Sequence, residues 1–501
     1  MKSSALALSL ASVAWAAKPL VTPELLQEKI QLDDLLAGSQ QLQDFADAYP
    51  DRNRVFGGKA HNDTVNWLYK ELKRTGHYHV YKQPQQHLYS NAEQSLTANG
   101  ETIDATTMTY SPSVNATGEL AVVSSLGCSA ADFGDVAGKI ALVQRGNCTF
   151  AEKSVYAAQA DAAATIVYNN VDGSLSGTLG DAQSELGPYT GILGITLEDG
   201  EALIALAEAG TVNVDLWIES TLENRTTFNV IAQTKTGDPN NVVSLGGHTD
   251  SVEAGPGIND DGSGIISNLV IARALTKFST KHAVRFFFWT AEEFGLLGSD
   301  YYVSSLSPEE LAKIRLYLNF DMIASPNYGL LLYDGDGSAF NLTGPPGSAE
   351  IEKLFEDYFL SIGQATVPTE FDGRSDYEAF ILNGIPAGGV FTGAEDIKTE
   401  EEALLFGGTA GVAFDENYHA AGDTFDNLNQ EAFLMNSKAT AFAVATYAND
   451  LSSIPERNTT TQVHKVRRDA AGGVKRRTFP KKRQQAAHRH AKGCFHSQVA
   501  I

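Results

Sequence analysis

Residues that commonly bind metal ions recur in the second half of the sequence, each within a short polar motif. They are two histidines and three acids: His248, Asp260, Glu293, Asp321 and His419. Imidazole nitrogen and carboxylate oxygen are both zinc ligands, and catalytic zinc sites leave one position open for water. Two divalent ions would bring four positive charges against the three carboxylates, and a bridging hydroxide would make the set neutral. The charge balance therefore favours two ions over one.

Each motif taken alone has another interpretation. His248 and Asp250 are two positions apart in an extended segment, so their side chains face the same way. Asp250 would then orient the second imidazole nitrogen, although a His-x-Asp pair is also common at protein surfaces. The turn at 259–262 (NDDG) is equally consistent with a capped helix start, and it lacks the lysine of a P-loop. His419 alone would more often be a structural histidine.

Two adjacent acids, Glu292 and Glu293, follow the most apolar strand-like segment of the chain, Ala283–Trp289. Carboxylates at the exit of a buried strand are costly unless they are paired, hydrogen-bonded or bound to metal. Because neighbouring side chains generally point in different directions, one acid could bind metal while the other reaches a water molecule. A solvated loop is the alternative, and the position after a buried strand weakens it.

The elements around these motifs predict an α/β fold. Apolar segments at Val242–Gly247, Ala283–Trp289 and Ile314–Phe320 are typical of strands, and Gly264–Lys277 is typical of a helix. Such alternation indicates a mostly parallel, doubly wound sheet flanked by helices. Ligands in that architecture bind at the carboxyl ends of strands, and most of the chemically active residues fall just past predicted strand ends.

The first half of the chain differs from the second. From Thr22 to about Gln83 the pattern is helical, and the clearest helix is Lys59–Thr75. From about Asn99 to Trp217 short β-like runs alternate with glycine, serine, asparagine and aspartate, which indicates an inserted β-rich module. We therefore predict five segments: a signal peptide (1–17), an N-terminal helical part of the catalytic domain with a possible pro-segment at its start (18–98), the insertion (99–217), the remaining catalytic domain (218–455) and a basic tail (456–501).

Both ends of the chain indicate export. Lys2, the apolar run Ala5–Ala17 and a small-residue cleavage site are typical of a signal peptide, with a buried helix as the alternative. The run is too short to span a membrane, so we expect a secreted, extracellular protein without a membrane segment. Six Asn-x-Ser/Thr sequons are candidate glycosylation sites: Asn62, Asn115, Asn147, Asn224, Asn341 and Asn458.

Charge excludes one class of partner. The chain has 501 residues and a formal net charge of −24, from 37 Lys and Arg against 61 Asp and Glu. Nucleic acid is not expected as a partner because phosphate binding needs a basic surface. The tail is the basic exception, with eleven Lys and Arg and one acid between His464 and Lys492. We expect this segment to be disordered, either cleaved at its dibasic pairs or left uncut.

The motifs, in this order, resemble the secreted two-zinc aminopeptidases, a group that includes fungal leucine aminopeptidases and vacuolar aminopeptidase Y. The resemblance covers about Val242–Leu451, through GGHTDSV, GPGINDDGSG, FWTAEEFGLLGS, LNFDMI, FDGRSDYEAF and GGTAGVAFDENYHAAGDTFDNL. The insertion resembles a protease-associated domain, through GCSAADFGDVAGKIALVQRGNCTF. Within it, Cys128 and Cys148 match a pair that often forms a disulfide, which leaves Cys494 unpaired.

The resemblance implies two Zn²⁺ ions per subunit. Asp260 would bridge both ions, His248 and Asp321 would complete one site, and the other would be completed by Glu293 and His419. Relatives often place cysteines on either side of the Tyr-His segment. Here those positions are Asn417 and Gly422, so the loop that carries His419 must be held without a disulfide.

The resemblance also implies catalytic roles. Glu292 would be the general base, Tyr418 would donate a hydrogen bond to the oxyanion, Arg374 would help to hold the substrate, and Asp250 would orient His248. We therefore expect hydrolysis of the first bond of peptides with a free N-terminus. An apolar first residue such as leucine is carried over from the relatives, and we expect a monomer.

Two other functions remain open at this point. A carboxypeptidase or dipeptidase of the same superfamily would need a cation for the substrate carboxylate, and Arg374 is a candidate. A non-enzymatic binding protein built on the β-rich module is the other alternative. The presence of all five metal-binding residues argues against it.

Overall fold

The structure, a computed structural model, describes residues 18–456. The expected signal peptide, the basic tail from residue 457 onward, Asn458 and Cys494 lie outside the described residues. The described chain divides into two compact units, one formed by residues 18–85 with 226–456 and the other by residues 86–225. The predicted insertion at 99–217 lies within the second unit.

Twelve helices and fourteen strands make up the described chain. The helices are α1 Pro23–Gln27, α2 Leu32–Asp47, α3 Lys59–Arg74, α4 Phe150–Gln159, α5 Leu197–Ala209, α6 Gly262–Leu275, α7 Leu297–Ser305, α8 Pro308–Lys313, α9 Ser348–Ser361, α10 Tyr377–Ile381, α11 Glu400–Phe406 and α12 Gln430–Tyr447. The strands are β1 Tyr78–Ala98, β2 Glu101–Thr102, β3 Thr106–Thr107, β4 Val114–Val122, β5 Ile140–Gln144, β6 Ala164–Tyr168, β7 Ile192–Ile195, β8 Asn213–Thr234, β9 Asp238–His248, β10 His282–Trp289, β11 Ile314–Phe320, β12 Leu331–Tyr333, β13 Val367–Thr369 and β14 Ala387–Phe391.

The first unit is built on a mostly parallel sheet with the strand order β13-β12-β14-β11-β9-β10-β8. β9 lies between β10 and β11 and is parallel to both, and β14 is parallel to β11. Antiparallel pairs occur where β8 meets β10 and where β12 meets β14. The predicted α/β class and the predominance of parallel strands are confirmed.

The sheet is covered on both faces, which explains why β10 is apolar at every position after His282 except Arg285. Successive side chains of a strand point to opposite faces. Phe286 and Phe288 accordingly pack in the cluster that includes α6, while Phe287 and Trp289 pack in the cluster on the other face. Helix α6 is buried at nearly every position, because α2, α3 and α12 pack around it.

The helical interpretation of the N-terminal part is right as far as Arg74 and wrong after it. Strand β1 begins at Tyr78, within the segment from Thr22 to Gln83 that the sequence pattern assigned to helix. The segment Tyr78-His-Val-Tyr is rich in aromatic and β-branched residues, which favour a pleated strand over a helix. Helical periodicity upstream masked this change.

The second unit contains more helix than a β-rich module suggests. Strands β4, β5, β6 and β7 are parallel neighbours, and β3 and β8 pair antiparallel at the two ends of this set. Helix α4 begins with a reciprocal cap, in which Thr149 and Glu152 each bind a backbone N–H of the other. The disulfide expected between Cys128 and Cys148 is present.

Candidate active site

Three neighbouring strands bring the predicted metal ligands to one edge of the sheet. His248 is the last residue of β9, and Asp321 directly follows β11. Glu292 and Glu293 follow β10 after a turn of two residues. Because β9 is parallel to both β10 and β11, these side chains meet at the carboxyl edge, as the fold class predicts.

Asp261 ties this edge to the start of α6. Its carboxylate caps the helix by accepting from the Gly264 N–H at 2.9 Å, and it also accepts from the N–H of His248 at 3.0 Å. A third bond comes from the N–H of Met322 at 3.2 Å. A Cβ atom at Gly247 would lie 2.2 Å from this carboxylate, so the close approach requires glycine there. One side chain thus connects both ligand-bearing strands to the turn that carries Asp260.

The loop that carries His419 also holds the backbone of Asp260. Asp423 accepts from the N–H groups of Asn259 at 2.8 Å and of Asp260 at 3.0 Å. Within the loop, the Asn417 amide donates to Asn427 at 2.6 Å. A Cβ atom at Gly422 would lie 2.0 Å from the Asn417 oxygen, so the two positions fit closely together. Hydrogen bonds and close packing, and not a disulfide, hold the loop at Asn417 and Gly422.

The carboxylate of Asp260 is shared between two groups of ligands. Its Oδ1 lies 3.1 Å from Nε2 of His248, and its Oδ2 lies 3.3 Å from Nε2 of His419. Asp321 Oδ1 is 3.6 Å from the same nitrogen of His248, and Glu293 Oε2 is 2.9 Å from that of His419. The predicted five residues therefore form two adjoining sets with Asp260 common to both.

These separations are close to those expected around zinc. With metal–ligand distances of about 2.0–2.2 Å and tetrahedral angles, neighbouring ligand atoms lie about 3.3–3.6 Å apart. Two of the four separations lie in this range, and the other two, at 2.9 and 3.1 Å, are slightly shorter. In addition, Oε1 of Glu293 is buried and has no hydrogen-bond partner in the described chain. A buried carboxylate oxygen without a partner is costly unless a cation or a donor reaches it.

The electrostatics of the set also favour a cation. Although burial opposes the charged imidazole, hydrogen bonds to Asp260 and Glu293 raise the pKa of His419 to about 10. Burial, together with the charge of Asp260, raises the pKa of Glu293 to about 7. The pKa shift of His419 comes from its two carboxylate neighbours, and that of Glu293 comes mainly from burial.

Glu292 lies farther from its neighbouring histidine than Glu293 does. Its Oε2 lies 3.9 Å from Nε2 of His248, although its carboxylate is near enough to His248 and Asp321 to join them as a ligand on distance alone. Burial, opposed by His248 and reinforced by Asp321, holds the pKa of Glu292 well above its usual range. The two neighbouring glutamates thus face different histidines.

Asp250 contacts His248 differently from the expectation. The Nδ1 atom of His248 lies 3.2 Å from the backbone oxygen of Asp250 and 3.7 Å from its carboxylate, so the hydrogen bond is to the carbonyl. Since a carbonyl only accepts, Nδ1 is the donor in this bond, and Nε2 faces the carboxylates of Asp260 and Asp321. The Asp250 carboxylate instead accepts from the N–H groups of Glu292 at 3.1 Å and Glu293 at 3.4 Å.

Three residues of the site have left-handed backbone conformations that non-glycine residues seldom adopt. They are Ala291 (φ 53°), Met322 (φ 53°) and His419 (φ 55°). Each is a candidate ligand or adjoins Glu292 or Asp321. Such conformations cost of order 1–3 kcal/mol each and persist where the surroundings hold them in place.

Several supporting residues escaped sequence reasoning. Ser375 donates to Asp321 Oδ2 at 2.5 Å, and Nε2 of the buried His61 lies 2.8 Å from the Thr249 hydroxyl. Arg54 is fully buried near four aspartates of the site and donates to the Gly257 carbonyl at 2.8 Å. Since Arg54 and His61 lie almost 200 residues before the motifs, only the fold connects them to the site.

A cleft opens above the ligands. Its wall includes Tyr418, Arg374 and Glu395, together with apolar residues such as Phe391. Arg374 donates to the Tyr418 hydroxyl at 3.0 Å and forms an ion pair with Glu395 at 2.9 Å. The ring of Tyr418 stacks on the imidazole of His419, with the ring centres 3.8 Å apart. All the predicted metal-binding, catalytic and substrate-binding residues except Asp250 and His248 line this cleft. Glu395 also lines it and was not predicted from the sequence.

A separate group of acids, Asp334, Asp336 and Glu352, has a structural explanation. Glu352 accepts from the N–H groups of Gly335 and Asp336, and Asp334 accepts from those of residues 338–340. These bonds anchor a loop to α9. Among residues 18–456, no helix combines the length and apolar composition needed to cross a bilayer.

The chain matches two family models. Residues 229–444 match Peptidase family M28, and residues 116–203 match the PA domain. A probable leucine aminopeptidase 2 of Aspergillus oryzae is 69% identical over 493 residues, which are 98% of this chain and 98% of that protein. Leucine aminopeptidase 2 of Arthroderma otae is 56% identical over 445 residues, covering 88% of this chain and 89% of that protein.

Solved structures agree with these relatives. An aminopeptidase from Aneurinibacillus sp. strain AM-1 has a TM-score of 0.69 and 31% identity, covering 87% of this chain and 98% of that chain. A zinc aminopeptidase from Bacillus subtilis has a TM-score of 0.59 and 25% identity, covering 83% and 94% respectively. All five candidate ligands lie within residues 229–444, the range that matches Peptidase family M28.

Proposed function

The chain belongs to peptidase family M28, and from that membership we propose that it is a zinc-dependent aminopeptidase that hydrolyses the first bond of peptides with a free N-terminus. The observation that carries the proposal is the Asp260 carboxylate, whose two oxygens face different histidines at 3.1 and 3.3 Å. The names of the relatives suggest leucine at the first position. The apolar part of the cleft wall is compatible with it.

We assign two zinc ions to the two ligand sets. His248 and Asp321 would hold one, Glu293 and His419 the other, and Asp260 would hold both. When bound, the ions lower the pKa of water and polarise the carbonyl of the scissile bond. The residues of the chain supply orientation and proton transfer.

Glu292 is assigned as the general base. It is 7% exposed and borders the cleft. Asp250 accepts a hydrogen bond from its backbone N–H and so fixes the backbone at this position. The positive charge of bound cations opposes the raised pKa of Glu292. The carboxylate can then accept a proton from water and return it to the leaving amine.

Tyr418 is assigned as the donor to the substrate oxygen that gains negative charge. Burial, reinforced by Asp260, raises the pKa of Tyr418, so the phenol keeps its proton at neutral pH. Its oxygen already accepts from Arg374, which leaves the proton available to the cleft. A donor aimed at the developing charge stabilises the transition state more than the ground state.

Arg374 also bears on the competing functions. A carboxypeptidase or dipeptidase needs an uncompensated cation to bind the substrate carboxylate. Both guanidinium nitrogens that face Glu395 are within hydrogen-bond distance of it, at 2.9 and 3.3 Å. This pairing favours release of N-terminal residues over recognition of a carboxylate.

Export, glycosylation and the monomeric state remain predictions. The apolar N-terminal segment and the sequons support secretion. The Cys128–Cys148 disulfide supports an oxidising compartment.

The test compares leucyl peptides with a free and an acetylated N-terminus, with and without a chelator. The proposal predicts release of leucine from the free peptide alone, loss of activity with chelator and recovery with Zn²⁺. Equal cleavage of the acetylated peptide would contradict it, as would removal of the C-terminal residue first.

A further inference from the structure

Glu395 has no role in the proposed chemistry, yet it is joined to the cleft through two other side chains. It forms a two-pronged ion pair with Arg374, and Arg374 in turn donates to the hydroxyl of Tyr418 at 3.0 Å. Tyr418 is stacked on the candidate ligand His419. All four side chains line the same cleft.

The order of donors and acceptors in this chain of contacts is fixed by chemistry. A guanidinium has only donors, so Arg374 must donate both to Glu395 and to the Tyr418 oxygen. A phenol has one O–H, and with its oxygen accepting from Arg374 that proton points elsewhere.

Folding stability does not explain the pair. The side chains of Arg374 and Glu395 are 43% and 52% exposed. Exposed ion pairs contribute little to stability, and a long arginine side chain without its partner samples several rotamers. The bidentate contact with Glu395 selects the rotamer that reaches Tyr418.

We propose that Glu395 is a positioning residue, which holds Arg374 so that the Tyr418 hydroxyl is oriented toward the reacting carbonyl. This inference rests on the proposed function, because the Tyr418 hydroxyl has a hydrogen bond to donate to the reacting carbonyl only if the protein hydrolyses an amide. Glu395 itself touches neither the substrate nor the ligands in this account.

The test measures kcat and KM for a free leucyl substrate in the single variants Glu395→Gln and Tyr418→Phe and in the double variant. We expect Tyr418→Phe to lower kcat about 100-fold and Glu395→Gln to lower it about 10-fold, both with little change in KM, because the bond forms in the transition state. The double variant should be no slower than Tyr418→Phe alone, since Glu395 acts only through the hydroxyl.

Asp357→Asn is the matched control. It removes the two-pronged partner of Lys353 in another exposed ion pair, with bonds of 2.8 and 2.9 Å, and Asp357 is not among the residues that line the cleft. Asp357→Asn should keep the wild-type kcat. As a second control, Glu395→Gln should have the same zinc content and the same thermal unfolding as the wild-type protein.

Three results would overturn the inference: unchanged kcat in Glu395→Gln, losses that multiply in the double variant, or a rise in KM alone. Loss of zinc from Glu395→Gln would also contradict it. Failure of the proposed function is distinguishable, because the wild-type protein would then release no leucine.

Discussion

Exchanging Glu292 for glutamine tests whether Glu292 is the general base while the adjacent Glu293 is a metal ligand. The amide has the same shape, and the backbone bond from residue 292 to Asp250 at 3.1 Å does not involve the side chain. The carboxylate lies 3.9 Å from Nε2 of His248, beyond hydrogen-bond distance, so His248 loses no hydrogen bond. Since burial raises the pKa of Glu292, removing its charge should not lower the melting temperature.

The activity should nevertheless collapse. A positioned general base contributes about 10²–10⁴-fold to the rate, which corresponds to about 2.7–5.5 kcal/mol of activation free energy. The assay measures kcat on a leucyl amide together with zinc per chain. Glu292→Gln should retain its zinc and lose kcat by this factor.

Glu293→Gln is the matched comparison, one residue along the chain. Its Oε2 lies 2.9 Å from Nε2 of His419, and its Oε1 is buried without a partner. This variant should lose zinc, and its activity should recover in part at high Zn²⁺ concentration. The reasoning is refuted if Glu292→Gln loses the metal while Glu293→Gln keeps it, or if Glu292→Gln turns over normally.

Three further outcomes follow from the contacts. Ser375→Ala removes the 2.5 Å donor to Asp321 and should weaken zinc affinity about 10- to 100-fold in a chelator competition, whereas unchanged affinity would contradict a supporting role. Burial lowers the pKa of His61 to about 3. As the pH falls below about 6.5, His61 therefore binds a proton in the unfolded chain but stays neutral in the folded chain. Stability should therefore fall from pH 6.5 toward pH 3, and His61→Gln should reduce that slope in denaturant titrations; an equal slope would exclude His61 as a cause. Asn62 donates to the Gly57 carbonyl at 3.0 Å and is half-buried, so peptide mapping after deglycosylation should find it unmodified while the exposed Asn115 is modified.

The parts of the fold that could be predicted are those in which local pattern and burial agree. The apolar run Ile314–Phe320 coincides with β11, and Ala283–Trp289 misses only the first residue of β10. The sequence pattern predicts that α6 begins at Gly264, two residues after its first residue in the structure, Gly262. Asp261 caps this helix and also accepts a hydrogen bond from the N–H of His248. Strong periodicity and a capping residue are sufficient for such elements.

The five ligands could be proposed because three of them lie at or just after strand ends and all five occur in an order that resembles known enzymes. Their support could not, because it comes from residues distant in sequence. Arg54, His61 and Glu395 act through contacts that only the folded chain creates, and each belongs to a segment with an ordinary polar pattern. The hydrogen bond of His248 to the Asp250 backbone was likewise invisible, since side-chain spacing says nothing about carbonyl direction.

The central claim is that one carboxylate serves two metal ions, and zinc content per chain tests it most directly. Elemental analysis of the purified wild-type protein and of Asp260→Asn, with unfolding measured on the same samples, provides the numbers. The account predicts two zinc ions per wild-type chain, and loss of both sites' affinity together with activity in the folded variant. A wild-type chain that is fully active with one ion, or a folded Asp260→Asn chain that keeps two, would contradict it.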